Sequence, residues 1–263
     1  MGSLQVVLAK AKWSLIHRGV WGTLEVAARH ANPWYKPRNQ QFIHPFDTEY
    51  GVDTSGLISA VRLAVGHKHD SYVTAYAGIP PSRFRYVVEK WKSWPPELPV
   101  EEYTFIDIGC GKGRAILMAS LLPFREVIGV ELNTDLAATA AKNVEIWKAA
   151  GRSVAPTSVL CQDGTEFVFP DTPCVLYLSN PFAEPVVKQL LEGIERSFTA
   201  NPRVLDIIYF TPKAGHLFAE HPMYTELWSE EIAMSPEDAA VELVCAVRDI
   251  CTAYRRNSVN GAH

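Results

Sequence analysis

Two features of the chain combine residue types and spacing that could do chemistry. Residues 105–113 read Phe-Ile-Asp-Ile-Gly-Cys-Gly-Lys-Gly, and Glu131 follows Gly109 by 22 positions. Gly109, Gly111 and Gly113 have no Cβ, so their turn can adopt dihedrals closed to other residues and let a ligand lie against the backbone. An apolar run, Tyr103–Ile108, leads into the turn and a helical pattern leaves it at Arg114. Such a strand–turn–helix is where nucleotides bind in an α/β sheet. Glu131, ending the next apolar run, is the right residue type to accept both ribose hydroxyls. The pair points to an adenosine-containing ligand; the alternative is a structural turn with a surface glutamate.

The spacing also separates the candidate ligands. A phosphate-binding loop needs Gly-x-x-x-x-Gly-Lys-Ser/Thr, and here the lysine lies between Gly111 and Gly113. A dinucleotide fingerprint needs glycine at 114, where Arg114 stands. Asp107 precedes the first glycine by two residues. A carboxylate aimed at the loop suits a ligand with an ammonium group and is awkward beside a pyrophosphate. S-adenosylmethionine meets that requirement and a nicotinamide dinucleotide does not.

Asp107-Ile-Gly-Cys-Gly-Lys-Gly113 resembles the first motif of the class I, seven-stranded methyltransferases, and Gly129-Val-Glu131 resembles their second. The resemblance implies that Asp107 contacts the methionine part of the cofactor and Glu131 the ribose. It sets Gly109, Cys110, Gly111, Gly113 and Leu132 around the cofactor. Gln162-Asp163-Gly164 matches the position that holds the adenine edge, with Asp163 accepting from the exocyclic amine and Gly164 beside it. Taken alone, Asp163 is equally a structural loop acid.

At the reacting end, methyl transfer from a sulfonium needs chiefly alignment, so no obvious acid or base is required. The segment Leu176-Tyr-Leu-Ser-Asn-Pro-Phe182 sets polar Asn180 directly after an apolar run. It resembles the Asn/Asp-Pro-Pro-Tyr/Phe motif of amino-group methyltransferases, in which side-chain and backbone carbonyls hold the attacking nitrogen, although only one proline is present. Tyr76-Ala-Gly-Ile-Pro-Pro-Ser-Arg-Phe84 is similar to the segment lying over the cofactor in the non-SET protein-lysine methyltransferases. That resemblance implies catalytic and cofactor roles for Asn180 and Tyr76. It also makes Pro181, Phe182 and Tyr72 acceptor contacts, with Phe182 walling a narrow channel. Without it, Tyr72 and Tyr76 are one helical turn apart and suit packing, and Phe182 suits a core.

The elements that must position these residues alternate. Strands are expected at Tyr103–Ile108, Val127–Leu132, Ser158–Cys161, Cys174–Leu178 and Val204–Phe210, and helices at Arg114–Leu122, from Asn133 or Thr134 to about Ala150, and at Glu184–Phe198. Continuous apolar strands in β-α order imply a doubly wound, mostly parallel sheet covered on both faces. Tyr224–Ile232 and Val241–Tyr254, joined by the short link Met234-Ser-Pro-Glu-Asp238, imply a C-terminal hairpin with one antiparallel strand. Seven strands, as in the family, are expected. The proline cluster Trp94-Pro-Pro-Glu-Leu-Pro99 divides a methyltransferase domain, 99–263, from an accessory segment, 1–98. In that segment two helical stretches are expected over Leu4–His30, irregular chain over 31–56, and a helix Ser82–Trp91 capped by Ser82.

Composition bounds the rest. A hydrophobic share of 48% with 21% charged residues is that of an ordinary globular domain. A net charge of −4 gives no global basic footprint, so nucleic acid is not an expected partner. Up to Tyr50 there are six Lys/Arg against three Asp/Glu and three tryptophans, a candidate surface for a protein partner or a membrane, or simply a packed helix. Cys110, Cys161, Cys174, Cys245 and Cys251 form no zinc-type spacing and suit reduced, cytoplasmic thiols. No apolar stretch of about 18 residues exists, so no membrane span is expected. His67, His69 and Asp70 have no further ligand nearby in sequence, so no metal site is expected, and Asp53 suits a turn. The acceptor expected is an amine on a protein side chain, lysine among them, or on a small molecule. The alternatives are O-methylation of a metabolite and a non-catalytic cofactor-binding module.

Overall fold

The computed structural model describes residues 43–94, 96–241 and 248–257, together with Val20. Gln40–His263 is one compact unit; in the other, Met1–Asn39, Val20 is helical and exposed. The helices expected over Leu4–His30 otherwise lie outside the described residues.

Seven strands form the main sheet: β1 Thr104–Ile108, β2 Glu126–Glu131, β3 Thr157–Cys161, β4 Cys174–Ser179, β5 Leu205–Phe210, β6 Tyr224–Ala233 and β7 Arg248–Arg256. Their order is β3-β2-β1-β4-β5-β7-β6. Neighbours from β3 to β5 are parallel, while β7 runs antiparallel to both β5 and β6. β7 is thus the single reversed strand. The chain winds outward from β1 to β3 and then returns to the other side of β1, which opens a crevice at the carboxyl ends of β1 and β4.

Every residue of β1 and β5 is buried, as a strand covered on both faces requires. Alternate residues serve two cores. Phe105, Val127, Val175, Tyr177, Ile208 and Phe210 face α2 (Pro81–Ser93), α3 (Arg114–Ala119) and α4 (Thr134–Ala149). Ile106, Ile108, Ile128, Leu176 and Ile207 face α5 (Glu184–Ala200) and α6 (His216–Ala219). α4 starts where Asn133 Oδ1 accepts the Asp135 and Leu136 N–H groups and stops before Gly151, left-handed at φ +68°. Among the described residues no helix is long and apolar enough to cross a membrane.

Four local expectations are corrected. α2 begins at Pro81 with Pro80 at its cap position, because proline at the first helical position loses no hydrogen bond; Ser82 lies inside the helix, and its N–H donates to Asp238. Residues 31–56 are not irregular throughout, since Pro45–Tyr50 forms a helix, α1, capped by His44 Nδ1. The link between β6 and β7 carries a further helix, α7, at Pro236–Val241. Tyr72 and Tyr76 are also not one helical turn apart: Tyr72 closes a turn on His69, Val73 bridges Phe182, and Tyr76–Ala77 pairs with Leu57–Ile58.

One buried charge ties three elements together. Asp206, on the α2 side of β5, accepts from Trp91 Nε1 at 2.8 Å and from Arg255 Nε and Nη2 at 2.7 and 2.9 Å. Removing one member of such a pair strands the other. Asp206→Ala is therefore expected to cost about 3 kcal/mol, read as a lower urea midpoint with little change in slope.

Candidate active site

The crevice at the carboxyl edge is a cleft with about 860 Å³ of empty space, its open mouth included. One wall is the loop after β1. Gly109 and Gly111 have φ of +84° and +56°, where side-chain-bearing residues are strained. A Cβ on Gly109 would meet Pro181 Cβ at 2.6 Å, and one on Gly111 would meet the Tyr76 ring at 2.2 Å. Glycine is needed there both for the turn and for the approach of those two residues.

Two carboxyls stand behind the loop. Glu131 Oε2 accepts the Gly111 N–H at 2.9 Å and Oε1 the Asn133 N–H at 2.8 Å. Burial raises the Glu131 carboxyl above its usual range, against the pull of those N–H donors. Asp107 sits between Gly129 and Tyr177 of the flanking strands. It is buried, and burial, then the neighbouring Glu131 charge, push its pKa up to about 8. Asp107 Oδ1 has no hydrogen-bond partner. A carboxyl buried at a cleft without a donor is incomplete, and a ligand ammonium would complete it.

The opposite wall is the segment from Leu63 to Ile79. Its fastening comes from Arg114, in the first turn of α3 and only 4% exposed. Nε donates to Thr54 Oγ1 at 2.7 Å, Nη2 to Thr54 O and Ser55 Oγ at 3.1 Å, and Nη1 to Ile79 O at 3.3 Å. Asp47, 3.7 Å from Nη2, balances the charge. The Tyr76 hydroxyl donates to Thr54 O at 2.7 Å, and burial pushes its pKa further above the usual range. Asn143 of α4 holds the same stretch, accepting from Asp53 N–H and donating to Asp53 O and Lys112 O. Asp53 itself pairs with Lys112 at 2.6 Å and is mostly exposed, a turn acid.

Of the residues expected at the site, Tyr76, Asp107, Gly109, Cys110, Gly111, Glu131, Leu132, Gly164, Pro181 and Phe182 line the cleft. Gly113 caps α3 behind it. Asn180, Asp163 and Tyr72 are adjacent but outside its lining. Asn180 is left-handed at φ +48°, its Oδ1 is buried without a partner, and its carbonyl accepts from Thr74 Oγ1 at 2.6 Å. The Pro181 carbonyl accepts the Thr74 N–H at 3.3 Å. Asp163 caps a short turn by accepting the Thr165 N–H, and its other oxygen faces His67, Lys68 and His69. The Tyr72 carbonyl accepts from Ala183 N–H. Among the described residues no group of three or more His, Cys, Asp or Glu could hold a metal ion. Thr74, Arg114, Tyr177 and Ser179 also line the cleft and were not expected there. Only Arg114 left a sequence signal, a charge opening an otherwise apolar helix.

No family model matches the chain, and no curated protein does. Solved structures to which it is similar include the human methyltransferase 10 domain containing protein, at 13% identity over 81% of this chain and 92% of that one, with a TM-score of 0.46. Precorrin-6y C5,15-methyltransferase from Geobacter metallireducens is similar at 14% identity over 65% and 87%, TM-score 0.44. The methyltransferase domain of bacterial CtHen1 is similar at 12% identity over 66% and 97%, TM-score 0.44. The mixed α/β sheet of seven strands, one of them reversed, is the fold expected from the sequence.

The raised Asp107 carboxyl has a consequence for stability. Its folded pKa of about 8 lies above the unfolded value near 4, so its favourable contribution is complete below pH 4 and lost as pH rises toward 8. Asp107→Asn without ligand should therefore melt higher than the parent at pH 8, by at least about 2–4 °C for a chain of this size. Differential scanning calorimetry should find that gap closing toward pH 4.

Proposed function

We propose that the chain is an S-adenosylmethionine-dependent methyltransferase. The observation that carries the reading is the buried, unpartnered oxygen of Asp107 beside a glycine loop and Glu131. Asp107 would take the ammonium of the cofactor's methionine part. Glu131 keeps a lone pair on each oxygen beyond its two backbone bonds, enough to accept the ribose hydroxyls. Leu132, Gln162 and Gly164 would flank the adenine, with Gly109, Cys110 and Gly111 against the backbone side of the ligand. When bound, the cofactor supplies a methyl group on a sulfonium, open to in-line displacement. Tyr76, its hydroxyl committed to Thr54, acts as a wall and an excluder of water, not as a proton carrier.

The acceptor we infer is an amine, a protein lysine among the candidates. Support comes from the likeness of Ser179-Asn-Pro-Phe182 and of Tyr76–Phe84 to amine-methylating enzymes, and from Asn180 Oδ1, a buried acceptor free to take an N–H. Pro181 and Phe182 would line its approach. One observation favours an oxygen acceptor as a second reading: Thr74 already occupies the Asn180 and Pro181 carbonyls that would otherwise hold nitrogen.

Binding of S-adenosylhomocysteine, which retains the ammonium, should draw the proton off Asp107. Calorimetry at pH 7 in buffers of different ionisation enthalpy should then register release of on the order of one proton, and affinity should rise with pH toward about 8. A proton-neutral, pH-flat titration contradicts the role of Asp107. Glu131→Ala should weaken that binding about tenfold or more, whereas Asn180→Ala should chiefly lower turnover. Mass spectrometry after incubation with labelled cofactor and candidate acceptors distinguishes nitrogen from oxygen transfer, and label on oxygen alone removes the amine reading.

A further inference from the structure

The segment Leu63–Thr74 begins and ends in the lining of the cleft and is tied to the carboxyl ends of three strands. At its start the Leu63 carbonyl accepts from Asn133 Nδ2 at 3.1 Å, just after β2. At its end Thr74 bonds Asn180 and Pro181, just after β4. Between them the tripeptide His67-Lys68-His69 converges on one oxygen just after β3. Asp163 Oδ2 lies 3.4 Å from His69 Nε2, 3.7 Å from His67 Nε2 and 3.8 Å from Lys68 Nζ.

The strap is built to present these groups. Asp70 Oδ2 accepts the N–H groups of Val65, Gly66 and His67 at 3.1, 2.7 and 2.9 Å, which closes the turn before them. His67 Nδ1 accepts the His69 N–H at 3.3 Å, which leaves the proton of the neutral ring on Nε2, facing Asp163. The His69 and Asp163 side chains are 5% and 7% exposed, and neither His69 Nε2 nor Asp163 Oδ2 has a hydrogen-bond partner, so each is the other's nearest charged neighbour at ion-pair distance. Neither residue lines the cleft.

We propose that His67 and His69 with Asp163 form a latch that holds the strap over the adenosine end of the cleft, as positioning residues for cofactor binding. The proposal rests on the cofactor assigned above. In it Asp163 serves the strap and not the adenine edge. The other charged groups facing the latch are Lys68 and Asp70 on the strap and Glu166, paired with Lys68 at 3.3 Å, on the turn after Asp163. From α5, Arg196 lies beside Gly193 near the Thr165 carbonyl.

The test uses the full chain, Asp163→Asn and His69→Gln. Asparagine keeps Oδ1 for the Thr165 N–H and replaces only the oxygen that faces the histidines. Hydrogen exchange without ligand should show amides 63–74 losing about tenfold in protection in both variants, with β1 and β4 unchanged. Stopped-flow displacement should show S-adenosylhomocysteine leaving about tenfold faster from both variants. Unchanged protection, or an off-rate that stays at the parent's value in both variants, overturns the latch. If Asp163→Asn weakens S-adenosylhomocysteine but not S-inosylhomocysteine, which lacks the amine, Asp163 touches adenine and the proposal is wrong. Should Asp163→Asn lose protection throughout, His69→Gln decides by the same readings. No binding of S-adenosylhomocysteine to the parent would sink the cofactor reading and with it the latch's positioning role, and the exchange data would still report whether the strap is latched.

Discussion

Burying a carboxyl away from water and donors is costly, and folding normally avoids it or supplies a partner. Asp107 is held in that state at the switch point of the sheet, between Gly129 and Tyr177, with one oxygen unpartnered and a proton retained to about pH 8. The neighbouring Glu131 is satisfied by two backbone N–H groups, so the two acids differ in what they still lack. One needs a cation, and the other has lone pairs to spare for hydroxyls. With the cofactor proposed above, that difference would give the cleft a direction, with an ammonium end near β1 and β4 and a sugar end over β2. Stability forgone at Asp107 is the kind of local cost that marks a binding site.

The segments that enclose the cleft depend on the glycine loop. Tyr76 and Pro181 approach it closer than any Cβ would allow, so the roof and the reacting end share one contact surface. Arg114 then fixes the roof from below through Thr54, Ser55 and Ile79. The residue whose size excludes a dinucleotide turn is therefore also the one that builds the cover. Thr74, with the neighbouring Val73–Phe182 bridge and the Tyr72 carbonyl on the Ala183 N–H, joins the cover to the chain just after β4, so the strap and that stretch move together.

Much of this was legible in the sequence, for physical reasons. Strands buried on both faces read as unbroken apolar runs, and β1, β2, β4 and β5 appear within a residue or so of where those runs lie. The glycine spacing and the position of Glu131 are local constraints that backbone geometry imposes. The hairpin with one reversed strand followed from two apolar runs and a short link, although the link hides α7 because its composition is that of a turn. The roof was harder to see. Arg114 meets Thr54 across 60 positions, Thr74 meets Asn180 across 106, and His69 meets Asp163 across a comparable gap. No periodicity encodes such pairs. Pro80-Pro81 competing with Ser82 for the start of α2, and one turn of helix at Pro45–Tyr50, were obscured by residues that serve turns and helix starts alike.

A crystal structure of the full chain with S-adenosylhomocysteine tests the central claim most directly. The ammonium should lie within about 3 Å of Asp107 Oδ1, the ribose hydroxyls on Glu131, and the ring of Tyr76 over the glycine loop. A ligand bound elsewhere, or bound in this cleft with Asp107 still unpartnered, would contradict the account.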